Sequence, residues 1–244
     1  MTGCCTLPPR EAPAIPLWIN GRPVLAMVPV FHEIRDSATQ RLIRRVPMVD
    51  AALAASAIDV ANRASGLSPA AMNSFLNELA QALEELEEHF AGLSAVESGT
   101  HLDAGKADVA SALSAVRELI AQSSSCEARP LGGGGDSTLA LAGPGMPLSA
   151  AIKLVLPVIV RGGAVTLLPS PEAPSCALAL AELCGQCGLL DGLFNVVYVE
   201  EPVVASLISG HGVSGVRVFG PTAWAQRWQT TAMDWMIPCE RVLA

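Results

Sequence analysis

The chain has 244 residues, of which 51% are hydrophobic and 16% are charged, and its formal net charge is −8. That length is enough for one large domain with a sizeable core. The negative charge and the presence of only two lysines argue against binding to nucleic acid, because phosphate neutralisation needs clustered cations. No apolar run approaches the roughly 20 residues that span a bilayer, so a membrane role is not expected.

The first 16 residues contain four prolines and little periodicity, which predicts an extended or disordered leader. They show neither a basic segment nor an apolar segment typical of a secretory signal, so a cytoplasmic location is expected. The seven cysteines are then reduced thiols. Cys184 and Cys187 have the spacing of a redox or zinc motif, but they close a helical pattern, which favours buried, inert thiols. The four histidines are widely scattered, and no metal site is predicted.

The elements begin with strands. Residues 17–24 predict a strand with turn chemistry at Asn20 and Gly21, a pair that favours positive φ. Residues 30–34 and 42–46 predict a second pair of strands, joined through residues 36–39. The arginines between positions 41 and 45 are interpreted as a solvated face of this hairpin.

Three amphipathic helices are predicted next, over residues 50–64, around residues 76–93, and over residues 103–122. The middle helix carries an acidic cluster, consisting of Glu84, Glu85, Glu87 and Glu88. That cluster could attract a basic partner, but a solvated helix face is the favoured interpretation.

From residue 137 onward, short apolar strands alternate with helices. This alternation predicts an α/β fold of the Rossmann-like, doubly wound type, with a mainly parallel sheet and helices on both faces. The predicted strands are residues 137–142, 164–168, 194–199 and 215–219, and the predicted helices are residues 148–161, 175–187, 203–209 and 222–233.

Several motifs in this half carry a family resemblance. Residues 143–148 read Gly-Pro-Gly-Met-Pro-Leu, residues 162–174 contain Gly-Gly-Ala-Val-Thr-Leu-Leu-Pro-Ser-Pro, and residues 188–197 contain Gly-Leu-Phe-Asn-Val-Val. Together with the Ile-Asn-Gly strand near the start, they resemble the cofactor-binding half of the aldehyde dehydrogenase superfamily. The resemblance covers residues 17–244 and implies an NAD-binding-type domain, preceded within that range by a small β and helical segment.

The positions that would hold a dinucleotide depart from the family pattern. The family places a lysine before its Pro-Ser pair and a glutamate after it, and both hold the adenosine ribose. Here Leu168 and Pro171 stand at those positions, while Ser170 is kept. In the family's Gly-x-Thr-x-x-Gly turn near the pyrophosphate, Gly220 and Thr222 match, and the last glycine is Ala225. The resemblance therefore implies weak, vestigial cofactor-binding positions at Ser170, Gly220 and Thr222, and no cofactor is expected, although NAD or NADP stays possible.

The family's catalytic groups have no counterpart in this sequence. An asparagine that holds the oxyanion in the family is replaced by Met146, whose side chain has no hydrogen-bond donor. The sequence ends before the family's general-base glutamate and the catalytic domain with its nucleophilic cysteine. None of the cysteines present is flanked by an activating base. No catalytic residue is predicted.

The segment before residue 137 also differs from the family. Arg129, Pro130, Leu131 and Gly132 resemble the family's Arg-x-Pro-Leu-Gly, but the long hairpin that ordinarily precedes this motif and builds the oligomer has no room here. The four glycines at 132–135 are interpreted as a flexible turn and not as a phosphate loop, since they lack the Lys-Ser/Thr ending.

Two functions follow from the resemblance. The favoured hypothesis is a non-catalytic subunit that binds and supports or regulates another protein chain, an aldehyde dehydrogenase or another enzyme of its pathway. Trp224, Trp228 and Trp235 are expected to form an exposed contact surface for that partner. Certain proline-utilisation proteins carry an inactive domain of this family, which is a precedent by analogy. The alternative is the cofactor-binding half of a split NAD(P)-dependent aldehyde oxidoreductase, and a degraded remnant without function is a third hypothesis.

Overall fold

A seven-stranded sheet forms the centre of the structure. The structure is a computed structural model, and it describes residues 12–35, 40–125, 137–210 and 212–243. The strands are β1 (Leu17–Ile19), β2 (Arg22–Val24), β3 (Phe31–Arg35), β4 (Leu42–Pro47), β5 (Ser137–Ala142), β6 (Ala164–Leu168), β7 (Phe194–Val196), β8 (Gly215–Phe219) and β9 (Cys239–Arg241). The helices are α1 (Ala51–Arg63), α2 (Pro69–Glu85), α3 (Glu87–Ser98), α4 (Leu102–Ser125), α5 (Pro147–Val160), α6 (Ser175–Gln186), α7 (Glu201–Gly210) and α8 (Thr222–Asp234).

The strand order in the main sheet is β2-β1-β7-β6-β5-β8-β9, and the strands from β7 to β9 are all parallel. Helices α5 and α6 pack together on one face, with α2, α3 and α4 beside them, and α7 packs between α1 and α8 on the other. Every residue of β5 and β6 is buried, as expected for parallel strands covered on both sides. The structure thus confirms the Rossmann-like, doubly wound fold. The strand order reverses between β5 and β8, which is the topological switch point of such a sheet.

The β1–β2 hairpin extends the main sheet, because Trp18 of β1 pairs antiparallel with Val196 of β7. The sequence placed this hairpin in a segment preceding the sheet, and its joining to β7 is a new finding. In its turn, Asn20 and Gly21 have φ values of 55° and 69°, as a type I′ turn requires. A Cβ at Gly21 would meet the carboxylate of Asp191, so a larger residue there would also displace that exposed side chain.

The structure divides the predicted middle helix in two. Helix α2 ends at Glu85, Leu86 adopts φ −102° and ψ 17°, and α3 begins at Glu87. The buried positions continue at helical spacing through this break, from Leu79 and Leu83 of α2 to Phe90 of α3. Leu86 fits the helical spacing of apolar residues in the sequence, but its side chain is 39% exposed. The neighbouring glutamates all face outward, as the sequence predicted.

The described part of the leader lies along the second hairpin. Ala14 forms an isolated bridge with Arg45 of β4, and the backbone N–H of Ile15 donates to the carbonyl of Arg45 over 2.9 Å. The predicted turn at residues 36–39, the Arg-Pro-Leu-Gly motif at 129–132 and the glycine run at 132–135 lie outside the described residues. Among the helices of the described ranges, none has both the length and the hydropathy of a membrane crossing.

Candidate functional site

A cavity of about 520 Å³ opens where the parallel strands end. Its lining includes Gly143 after β5, Ser170 after β6 and Val199 after β7, and Trp224 and Trp228 of α8 form another side. In open α/β sheets this is the edge at which ligands bind, beside the switch point. The position of the cavity therefore makes it the candidate functional site.

Trp224 lies across the switch point itself. The ends of β5 and β8 are joined there by a hydrogen bond of 2.7 Å from the N–H of Gly143 to the carbonyl of Phe219. A Cβ added to Gly143 would lie 3.2 Å from Cε3 of Trp224, and one added to Gly220 would lie 2.9 Å from the same atom. The indole thus packs directly on the backbone of both glycines. It is held from behind by Trp228, whose ring is edge-on at a centroid distance of 6.2 Å.

The titratable side chains of the described lining are three glutamates and one histidine, His32. Glu172, Glu200 and Glu201 line the cavity and are exposed, and no lysine or arginine belongs to its described lining. Glu201 has a neighbouring countercharge, since Arg227 approaches its carboxylate to 2.5 Å. The mouth of the cavity is therefore negatively charged, which disfavours an anionic ligand.

The three predicted cofactor-binding residues have different surroundings. Ser170 lines the cavity, and its Oγ accepts a hydrogen bond of 3.4 Å from the N–H of Glu172. Gly220 lies beneath the Trp224 indole. Thr222 is exposed and outside the cavity lining, and its Oγ1 accepts a hydrogen bond of 2.7 Å from Arg241. The two residues that replace the family's ribose ligands, Leu168 and Pro171, both line the cavity and offer no polar side chain.

The start of α5 is occupied by a carboxylate from another helix. Asp108 of α4 is only 2% exposed, and its two oxygens accept hydrogen bonds of 3.0 Å each from the N–H groups of Leu148 and Ser149. The residue before the helix, Met146, has a left-handed backbone, makes no side-chain cap and does not belong to the cavity lining. A side chain of the protein therefore fills the place where helix N–H groups could bind a phosphate.

The start of α6 is occupied in the same way by Glu97 of α3. Its carboxylate accepts a hydrogen bond of 2.9 Å from the N–H of Ser175 and a second one from the Ser175 hydroxyl. Arg44 of β4 also donates to that hydroxyl and lies 3.9 Å from the carboxylate. Burial raises the pKa of Glu97, although the hydrogen bonds from Ser175 and the charge of Arg44 act to lower it.

Sequence reasoning missed both of these carboxylates. A signal for Asp108 is present, because it falls on the buried stripe of α4 together with Val109, Ala112 and Val116. A carboxylate on an apolar face is rarely left without partners.

The described cysteines are free thiols that are hard to ionise. Burial raises the pKa of Cys176, Cys184 and Cys187 above its usual value, and burial with the nearby Glu240 raises that of Cys239 to about 11. A thiol of this kind is a poor nucleophile at neutral pH. Within the described ranges, no group of three His, Cys, Asp or Glu side chains is arranged to hold a metal ion.

The expected exposure of the three tryptophans is wrong for Trp228, and Trp224 is only partly exposed, because it packs against the core. Trp228 is 4% exposed, because it packs into the core behind Trp224 with the Arg227 guanidinium 4.9 Å from its ring centroid. Trp235 is 55% exposed, and its neighbours Met233 and Met236 are exposed as well. Beyond them runs β9, the outer strand of the sheet, which pairs with β8 and with no other described strand.

Comparison with known proteins agrees with this geometry. Residues 30–240 match the model of the aldehyde dehydrogenase family. A betaine aldehyde dehydrogenase of Cereibacter sphaeroides is 27% identical over an alignment of 242 positions, which covers 92% of this chain and 50% of that protein. The chain spans about half the length of such curated relatives.

Solved structures show the same fold. Lactaldehyde dehydrogenase from Escherichia coli superposes with a TM-score of 0.84 at 21% identity, over 96% of this chain and 52% of that one. An aldehyde dehydrogenase from Bartonella henselae gives a TM-score of 0.84 at 20% identity, again over 96% of this chain and 52% of its own.

Proposed function

We propose that this chain, which belongs to the aldehyde dehydrogenase family, is a non-catalytic member that binds and supports or regulates another protein chain in the cytoplasm, and that this partner is an aldehyde dehydrogenase. The observation that carries the proposal is the position of Trp224, whose indole packs on Gly143 and Gly220 at the switch point. A dinucleotide would need the surface that this side chain covers.

The rest of the cavity supports the same proposal. Leu168 and Pro171 line it with apolar groups where the family resemblance places ribose ligands. Each lost hydrogen bond to a charged group weakens recognition by about 1.5–3 kcal/mol. The carboxylates of Glu172 and Glu200 would in addition repel a pyrophosphate. The residues present do not fit an NAD or NADP molecule bound in the manner of the family.

The partner-binding part of the proposal rests on the outer edge of the sheet. One side of β9 has no partner among the described strands, and an unpaired strand edge is a template for pairing with another chain. Trp235 and Met236, just before this strand, are 55% and 92% exposed. Large exposed apolar side chains beside an open edge are typical of a contact surface.

Co-expression with an aldehyde dehydrogenase from the same source tests this function. We expect a complex of defined stoichiometry in size-exclusion chromatography with light scattering. The double variant Trp235→Lys with Met236→Lys is expected to abolish the complex, because it places two charges on the contact surface. Leu190→Lys is the matched control, since Leu190 is 47% exposed on a different part of the molecule, and it is expected to leave the complex intact. A lone monomer in the presence of every such enzyme, or a complex that survives the double variant, contradicts the proposal.

The second candidate function is the cofactor-binding half of a split aldehyde oxidoreductase. One observation favours it: α8 begins at the ligand-binding edge without a side-chain cap, so its first N–H groups are available to an anion. This candidate requires saturable binding of NAD or NADP, which the first does not.

A further inference from the structure

The cavity at the switch point combines apolar walls with an acidic mouth. Leu141 and Leu168 are almost fully buried in its lining, and Met48 completes the apolar side. Its volume of about 520 Å³ lies within the range of small-molecule sites. A ligand with an apolar body of modest size would therefore gain free energy by leaving water for these walls.

The charges at the mouth select the sign of that ligand. Arg227 neutralises Glu201, whereas neither Glu172 nor Glu200 has an ion-pair partner in the described part of the chain. The described lining holds no lysine or arginine to offset these two carboxylates. A cation is attracted to this mouth and an anion is repelled from it.

The aromatic side chains act in the same direction. Phe31, Trp224 and Trp228 line the cavity. The guanidinium of Arg45 already lies 5.3 Å from the Phe31 ring centroid and that of Arg227 lies 4.9 Å from the Trp228 centroid. Trp224 is therefore the indole of the described lining that offers a surface to a further cation. A neutral apolar ligand would use the walls but not the carboxylates, and a metal ion would find no group of ligating side chains among the described residues.

We propose that this cavity binds a small organic cation, with an alkylammonium head group held by Glu172 and Glu200 and an apolar body packed against Trp224. The site is distinct in chemistry from a dinucleotide site, and the proposal holds whether or not the chain has a protein partner.

Titration with benzyltrimethylammonium, followed by tryptophan fluorescence and by calorimetry, tests the site. Saturable binding is expected, with no saturable binding of benzoate, which has a similar ring and the opposite charge. Glu172→Gln with Glu200→Gln should weaken binding of the cation by at least about fivefold, because two attractive charges are removed. Trp224→Phe should remove most of the fluorescence change, since the other described tryptophan of the lining, Trp228, is buried.

The control variant is Glu85→Gln with Glu87→Gln, which makes the same change in net charge at exposed positions outside the cavity. It should leave the affinity for the cation unchanged. Circular dichroism shows that each variant is folded before its affinity is compared. The proposal is overturned if the cation does not bind, if benzoate binds equally well, or if the control variant weakens binding as much as the cavity variant does.

Discussion

At the scale of single residues, Trp224 has the largest effect on the candidate site. Its side chain contacts Gly143 and Gly220, the two residues that end neighbouring strands at the switch point. A smaller residue there would leave both backbones accessible from the cavity. One side chain thus turns the ligand-binding edge of a Rossmann-like sheet into an apolar pocket with an aromatic wall.

Glu97 is the residue whose ionisation leads to a pH prediction. Burial raises the pKa of Glu97 in the folded protein above the ordinary value of 4.5. At a pH between 4.5 and this raised pKa, the folded state therefore binds more protons than the unfolded state. Stability that depends on Glu97 is therefore fully present below pH 4.5 and is lost as the pH rises through the pKa of the folded state. In the variant Glu97→Gln, the side chain at position 97 has no ionisable group.

We accordingly expect the free energy of unfolding of the wild type, minus that of Glu97→Gln, to fall as the pH rises above 4.5 and then to level off. Urea denaturation of both proteins at a series of pH values between 4.5 and 8 measures this difference. Glu88→Gln, at an exposed position of the same helix, should show no such trend. A difference that grows with pH would show that burial is not the dominant influence on Glu97.

At the scale of elements, α3 and α4 fix the starts of two helices of the sheet. Helices α5 and α6 make no N-cap hydrogen bond of their own through a side chain. Asp108 and Glu97 supply those bonds from outside. Ser94 of α3 donates to Asp108 and so ties the two supporting helices to the same group. The helical layer therefore orients the helices that flank the candidate site.

Replacing Asp108 by alanine should destabilise the fold by about 2–4 kcal/mol, because two buried N–H groups lose a charged acceptor. Asp108→Asn keeps one acceptor oxygen and should cost about 1–2 kcal/mol. Urea denaturation monitored by circular dichroism measures both. Glu118→Ala, on the exposed face of the same helix, should change stability by less than about 0.5 kcal/mol. Equal effects of Asp108→Ala and Glu118→Ala would refute the capping role.

The elements also show what the sequence could predict. The parallel strands were predictable because β5 and β6 are short, mainly apolar segments with helical patterns between them. The break at Leu86 was not predictable, because the hydrophobic spacing in the sequence continues through it. The joining of β1 to β7 depends on one long-range pair, Trp18 with Val196, and local patterns do not report such pairs.

The candidate site was predictable only in part, for a similar reason. Motif positions identified Ser170, Leu168 and Pro171 as residues of one edge, and all three line the cavity. The role of Trp224 depends on the direction of its side chain toward two glycines. The sequence analysis placed Trp228 in an exposed stripe, whereas the fold buries it.

At the scale of the whole molecule, two surfaces have separate properties. The ligand-binding edge has an aromatic cavity with an acidic mouth, and the outer strand β9 carries exposed apolar neighbours. The chain also spans about half the length of the relatives that it matches. A role in contact with another chain uses the second surface and leaves the first free for a small ligand.

The most direct measurement is a calorimetric titration of the folded chain with NAD⁺ and with NADP⁺, with an active aldehyde dehydrogenase as the positive control. Because Trp224 covers the switch point and Glu172 and Glu200 line the cavity, we predict a Kd weaker than about 1 mM for both, which corresponds to less than about 4 kcal/mol of binding free energy. Saturable binding with a micromolar Kd would contradict the account.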